Sequence, residues 1–311
     1  IQRIMDGPLA AAVRIDVEMN IPTECPTDDS RSESLVTLRI AHILTLKQGA
    51  RHLDIRTRFD NTARDHRLRV LFPTDLAGAE RSFADSHFDV VERSIQLPDC
   101  DDWKEPVVGT YPMRSFAGVS DGNYGLAVIT EGLHEYEVTR DDRKALAITL
   151  LRAVRIKLEV AENRKQELPD IGPQCPGFHE FRMAVFPFAG RWEESSIYCE
   201  TAKFLTPILA AQFGKNKTGK APTEASLLSC SNRNIVVSAI KKADREEALV
   251  VRIFNPTNKQ QEGYLQISRP VRNACFCNLN EERGEPVPAD QGGSLTITIS
   301  PKKIMTLMLF L

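Results

Sequence analysis

The chain has 311 residues, of which 42% are hydrophobic and 26% charged, an ordinary composition for a folded protein with a sizeable core. Forty Lys plus Arg against 42 Asp plus Glu leave a formal net charge of −2, which excludes a global pull toward nucleic acid or anionic lipid and makes any basic site local. No run approaches the ~20 apolar residues of a membrane-spanning helix.

The opening IQRIMDGPLAAAV starts on Ile and lacks the pattern of a signal peptide, so a fragment or a processed product is expected. Val13, Ile15, Val17, Met19 and Ile21 alternate with Arg14, Asp16, Glu18 and Asn20, a period of two that puts one strand face on a core and the other in water. Val36 to Leu44 repeats the pattern, KQGA turns, and Leu53, Ile55, Thr57 and Phe59 alternate with His52, Asp54, Arg56 and Arg58 to complete a long hairpin. The arginine-rich stretch RTRFDNTARDHRLRVLFPTDL, residues 56–76, then reads as two strands around the turn DNTARD, with Arg56, Arg58, Arg67 and Arg69 on matching solvated faces. It lacks the interleaved aromatics of a base-stacking surface, so no nucleic-acid partner is expected.

Further strands are expected at 125–130, 145–154, 180–186, 234–240, 248–254, 264–268, 274–279, 294–300 and 304–311, and one short helix at 193–204, stopped by Pro207. FGKNKTGKAPTE, residues 213–224, has linker composition. The expected architecture is therefore all-β: a large antiparallel domain over 1–212, a linker over 213–224 and a smaller antiparallel sandwich over 225–311. The seven cysteines are scattered without paired metal-site spacing, which favours a reducing compartment. Cys275 and Cys277, two apart in an apolar run, are expected to pack together on one strand face.

Several stretches in order resemble the part of glycoside hydrolase family 38, the α-mannosidases, that follows the catalytic domain in bacterial members. They are IMDGPLAAAVRIDVEM, RTRFDNTARDHRLRVLFPTDL, YPMRSFAGVSDGNYGLAVITEGLHEYEV, ALAITLLRAV, GPQCPGFHEFRMAVFPF and NIVVSAIKKADREEALVVRIFNPTN, which together run over nearly the whole chain. The resemblance implies a super-sandwich related to galactose mutarotase folds, then a terminal β-sandwich. It implies a retaining mannosidase as the parent protein, with its nucleophile, acid/base and zinc on an N-terminal domain missing here. No catalytic or metal residue carries over, so the chain alone is expected to be inactive and free of cofactor, and the reducing compartment favoured by the cysteines is expected to be the cytoplasm. Its expected partners are that catalytic domain and, in the intact enzyme, an α-mannoside.

The most site-like stretch is SDGNYGLAVITEGLHEYEV, residues 120–138, where turn chemistry at Asp121 and Asn123 brings polar groups to a cleft. Asp121, Asn123, Tyr124, His134 and Tyr136 are the candidate substrate contacts, since Tyr and His combine an apolar ring with a polar tip. Asp121 and Asn123 equally suit a plain turn, and Tyr136 a packed sheet. The pairs His52/Asp54 and His87/Asp89 have ligand-like spacing but read as exposed polar positions, because two ligands do not hold a tetrahedral ion. Glu135 and Glu137, on one side of one strand, do not flank a scissile bond. PQCPGFHEF reads as a rigid corner rather than a Cys175/His179 dyad, the acidic loop 98–105 as solvated, and Trp103 and Trp192 as packing or inter-domain residues. The alternatives are an independent carbohydrate-binding module, and a mutarotase-type epimerase with His134 or His179 as acid.

Overall fold

The computed structural model describes residues 1–26, 30–100, 102–104, 107–159, 164–167, 171–214, 218–220, 222–290 and 292–311. The chain divides into two compact units, residues 1–85 with 91–195, and residues 86–90 with 196–311. The division falls after Ser195, upstream of the linker read from the sequence, and residues 215–217 and 221 of that linker lie outside the described residues. No helix among the described residues is long and apolar enough to cross a membrane.

The first unit begins with β1 (Gln2–Asp6), β2 (Ala10–Pro22), β3 (Leu35–Lys47), β4 (Leu53–Asn61) and β5 (Arg67–Phe72). It continues through β6 (Arg81–Ser86), β7 (Asp89–Ser94), β8 (Thr110–Pro112), β9 (Phe116–Ser120), β10 (Tyr124–Glu131), β11 (Glu135–Val138) and β12 (Leu146–Arg152). The hairpin β13 (Ile156–Glu159) and β14 (Arg164–Glu167) precedes the long β15 (Gly177–Ala189). A nine-stranded antiparallel sheet runs β1-β2-β3-β4-β15-β10-β9-β6-β7, and a four-stranded sheet runs β5-β12-β11-β8. Alternation makes the sandwich: Leu38, Ile40, Ile55, Phe59, Val128 and Met183 from the wide sheet meet Leu68, Tyr136, Leu146 and Ile148 from the narrow one in a single core.

The arginine-rich stretch is not one hairpin. β4 pairs with β3 and β15, whereas β5 pairs with β12 in the other sheet, so residues 62–66 carry the chain from sheet to sheet. Arg56 and Arg58 therefore lie on the outside of the wide sheet and Arg67 and Arg69 on the outside of the narrow one. Both pairs meet carboxylates across strands: Arg58 and Arg56 share Glu180, Arg67 pairs with Glu135 at 2.7 Å, and Arg69 with Glu137 at 2.7 Å.

Glu135 also accepts from the Thr149 hydroxyl at 2.6 Å and meets Arg152 at 3.1 Å. Burial pushes its pKa up, but the Thr149 bond and the Arg67 and Arg152 charges outweigh burial and leave it below the usual carboxylate value. A depressed folded value means stability that is present above the unfolded pKa of about 4.3 and lost as pH falls through the folded one. Glu135→Gln is accordingly expected to lower Tm by roughly 2 °C at pH 7, with the gap closing below about pH 4, measured by thermal melts across pH.

The sequence-expected helix at 193–204 is two pieces. A short 3₁₀ turn covers Trp192–Glu194, and α1 covers Ile197–Leu205, separated by Ser196 with a left-handed φ of 64°. In the second unit follow β16 (Leu228–Cys230), β17 (Val236–Lys242), β18 (Leu249–Asn255), β19 (Gln261–Ile267), β20 (Asn273–Cys277), β21 (Arg283–Pro286), β22 (Ser294–Ile299) and β23 (Lys303–Phe310). A three-stranded sheet β16-β19-β22 and a five-stranded sheet β17-β18-β23-β20-β21 enclose Val251, Ile253, Leu265, Ile297 and Leu307. All seven cysteines are free thiols, and Cys275 with Cys277 packs beside Met308.

Candidate functional site

The turn between β9 and β10 is built by its own side chains. The Asp121 carboxylate accepts the backbone N–H of Asn123 at 2.8 Å and of Tyr124 at 2.9 Å, while Gly122 takes a φ of +93°. These two N–H bonds, Tyr124 first, hold the Asp121 carboxyl below its ordinary pKa, so it is a hydrogen-bond acceptor at neutral pH and not a proton donor. The Ser120 hydroxyl accepts from Gly122 N at 3.0 Å and donates to the Gly190 carbonyl at 2.9 Å, and Gly190 N donates back to Asn123 O at 2.8 Å. The end of β15 is thereby tied to the turn.

Beside this turn lies a cavity of about 430 Å³, walled by Asp121, Arg81, Glu92, Phe83, Arg191 and Trp192. Trp192 is 5% exposed and its ring lies over Phe83, with centroids 6.3 Å apart. Its indole N–H donates to Glu92 Oε1 at 2.8 Å, and Arg81 approaches the other Glu92 oxygen at 3.5 Å. Arg191 reaches Glu193 at 3.3 Å and keeps most of its side chain in solvent. With Phe83 and Trp192 both buried beneath it, the rim of two guanidiniums and several carboxylates is what can bind and orient a polyol, by hydrogen bonds.

The candidate residues divide. Asp121, Asn123 and Tyr124 sit together on the turn, with Tyr124 67% exposed. His134 lies beyond the far end of β10, an eight-residue strand or roughly 25 Å away, where its Nδ1 pairs with Met113 O at 3.3 Å. Tyr136 is wholly buried, with its hydroxyl 3.2 Å from Ser82 Oγ and 3.4 Å from Arg93, so within this chain its ring presents no face to a sugar. Arg81, Glu92, Arg191 and Trp192 were not legible as site residues: they lie far from residue 121 in sequence, and only Gly190 before Arg191 hints at a turn there.

The weaker motifs resolve without chemistry. His52 is a largely buried side chain rather than an exposed one, and its Nε2 sits 3.2 Å from Asp54 Oδ1, so the two partner each other. Phe88 is left-handed, with a φ of 60°, which takes His87 and Asp89 off a common strand face, and Asp89 pairs with Lys302. No group of three His, Cys, Asp or Glu side chains able to hold a metal occurs among the described residues. His179 Nε2 bonds the Cys175 carbonyl at 2.9 Å, not its sulfur, and Cys175 itself occupies a left-handed corner. Trp192 packs as expected, whereas Trp103 is 62% exposed. Of the acidic loop 98–105, residues 101 and 105 lie outside the described residues.

Residues 1–157 match the profile of the glycosyl hydrolases family 38 C-terminal domain, and residues 234–307 that of the family 38 C-terminal beta sandwich domain. A Halalkalibacterium halodurans protein named "Putative mannosylglycerate hydrolase" is 31% identical over 89% of the chain, and the chain spans 29% of that relative's length. Mouse alpha-mannosidase 2C1 is 26% identical over 78% of the chain, which spans 22% of it. The crystal structure of an alpha-mannosidase from Enterococcus faecalis superposes with a TM-score of 0.84 and 25% identity over 99% of the chain, covering 35% of that structure. The chain thus corresponds to about a third or less of the proteins it matches, and it belongs to glycosyl hydrolase family 38 as that family's C-terminal β region.

Proposed function

We propose that this chain is the non-catalytic β portion of an α-mannosidase-like retaining glycosidase of the cytoplasm, which braces the catalytic domain and lends the β9–β10 turn and its cavity to the sugar cleft. The observation that carries this reading is the match itself: 99% of the chain aligns with the Enterococcus faecalis alpha-mannosidase while accounting for 35% of it. The zinc expected of such an enzyme does not fit here, since the described residues supply no set of three ligands. In this reading the metal and the carboxylate pair belong to the remaining part of the parent enzyme. Asp121 supplies an ionised acceptor for a sugar hydroxyl, Arg81 and Arg191 supply donors, and the Phe83/Trp192 floor keeps water from the apolar side.

The test is turnover of a chromogenic α-mannoside by the purified chain with zinc added and bound metal quantified. No turnover and no stoichiometric metal is the expected result, and sustained turnover with one metal per chain would overturn the proposal. In the intact parent enzyme, Asp121→Ala is expected to raise KM for the mannoside by roughly 3- to 10-fold with a smaller change in kcat, the signature of lost binding contacts. An unchanged KM would remove the turn from the cleft.

A further inference from the structure

The outer face of the wide sheet carries a second cavity, of about 490 Å³, over β2, β3, β4 and the start of β15. Most of its charges are already matched. Arg14 bonds Asp16 at 2.9 Å, Arg39 bonds Glu18 at 2.9 Å, and Arg58 pairs with Glu180. Two groups in it remain unengaged. Phe178, a large apolar ring on this charged face, is 67% exposed. Asp60, its direct cross-strand partner, has a carboxylate with no hydrogen bond or ion pair among the described residues. Direct partners in an antiparallel sheet hold their Cβ atoms about 5 Å apart, so the open ring and the free acceptor stand side by side.

From this juxtaposition we infer that the groove is a binding subsite for a neutral hexopyranoside. The apolar face of a pyranose ring stacks on Phe178, and a hydroxyl on its edge donates to Asp60 while the Arg58 and Arg39 guanidiniums, each with N–H groups beyond those used by its carboxylate partner, donate to others. The six charges lining the groove cancel, Arg14, Arg39 and Arg58 against Asp16, Glu18 and Asp60, and the Asp60 carboxylate beside Phe178 disfavours an anionic sugar there. The subsite is separate from the β9–β10 turn. Phe178 begins β15, and Ala189, the partner of Tyr124, ends it, a distance along the strand of roughly 35 Å. It therefore holds sugar away from the turn, and it does not depend on the bracing role.

Titration of the whole chain with methyl α-D-mannopyranoside and methyl α-D-glucopyranoside, followed by amide chemical shifts, tests this. Saturable millimolar binding of at least one glycoside is expected, with shifts centred on residues 58–60 and 177–180. Phe178→Ala should raise Kd by about 10-fold or more, Phe178→Trp should preserve binding, Asp60→Asn should weaken it several-fold, and Tyr264→Ala, which removes an exposed aromatic of the second unit, should leave it unchanged. Phe178 already lies mostly in solvent, so its substitution leaves Tm as a control for folding. No saturation with either glycoside up to roughly 100 mM, shifts confined to the β9–β10 turn, Phe178→Ala binding like the parent chain, or equal affinity for mannose 6-phosphate would each overturn the inference.

Discussion

Tyr136→Ala is expected to destabilise the first unit by about 3–5 kcal/mol, whereas Tyr136→Phe should remove only about 1 kcal/mol. The ring is wholly buried between Tyr111 on β8 and Ile148 on β12, its register partners, and its centroid lies 6.1 Å from that of Tyr111. Removing it leaves a cavity that the flanking strands cannot close, because β11 is only four residues long and is hydrogen-bonded on both sides. The hydroxyl is a lesser matter. Its contacts at 3.2 Å to Ser82 and 3.4 Å to Arg93 are long, and Arg93 has a second attachment, its guanidinium lying 4.9 Å from the centre of the Tyr111 ring. Urea unfolding of both variants measures the difference. In the intact parent enzyme, Tyr136→Phe should leave KM for a mannoside untouched. A KM increase without loss of stability would return Tyr136 to the sugar cleft.

Tyr136 also shows where sequence reading succeeds and where it stops. The period of two in 13–21, 36–44 and 53–59 marks β2, β3 and β4 because each has one core face and one wet face. The 145–154 run was harder, since β12 is buried on both sides from Leu146 to Leu151 and its polarity hardly alternates. Asp121 and Asn123 are legible as turn builders because Asx chemistry is local. The grouping of Asp121 with His134 was misleading for the opposite reason: a fully formed strand lies between them, so closeness in sequence becomes separation in space. The crossing from β4 to β5 was hidden as well, because a short polar link looks alike whether it closes a hairpin or changes sheets. The cavity wall is long-range by nature. Glu92 and Trp192 share a hydrogen bond across a hundred residues, and no local pattern announces that contact.

Gly118→Ala is expected to destabilise the chain by about 2–3 kcal/mol, more than Gly125→Ala at about 1–2 kcal/mol, although the crowding distances alone suggest the reverse order. A Cβ at Gly125 would lie 2.2 Å from the Phe188 ring, and the three atoms nearest to it all belong to that side chain. A Cβ at Gly118 would lie 2.5 Å from the Phe83 ring, but also 2.7 Å from the Leu126 carbonyl and 3.0 Å from Ala127 Cα, backbone atoms of the neighbouring strand. A ring can tilt into another rotamer, whereas a strand held by β9 on one side and β15 on the other cannot retreat without breaking its ladder. A double-mutant cycle decides between ring and backbone: Phe188→Leu should relieve most of the Gly125→Ala penalty, and Phe83→Leu should relieve little of the Gly118→Ala penalty. Full relief of Gly118→Ala by Phe83→Leu would show that the ring was the limiting contact. The functional stake is local, since Phe83 is the ring on which Trp192 rests, and any displacement of it by a new methyl at residue 118 moves the floor of the cavity beside Asp121.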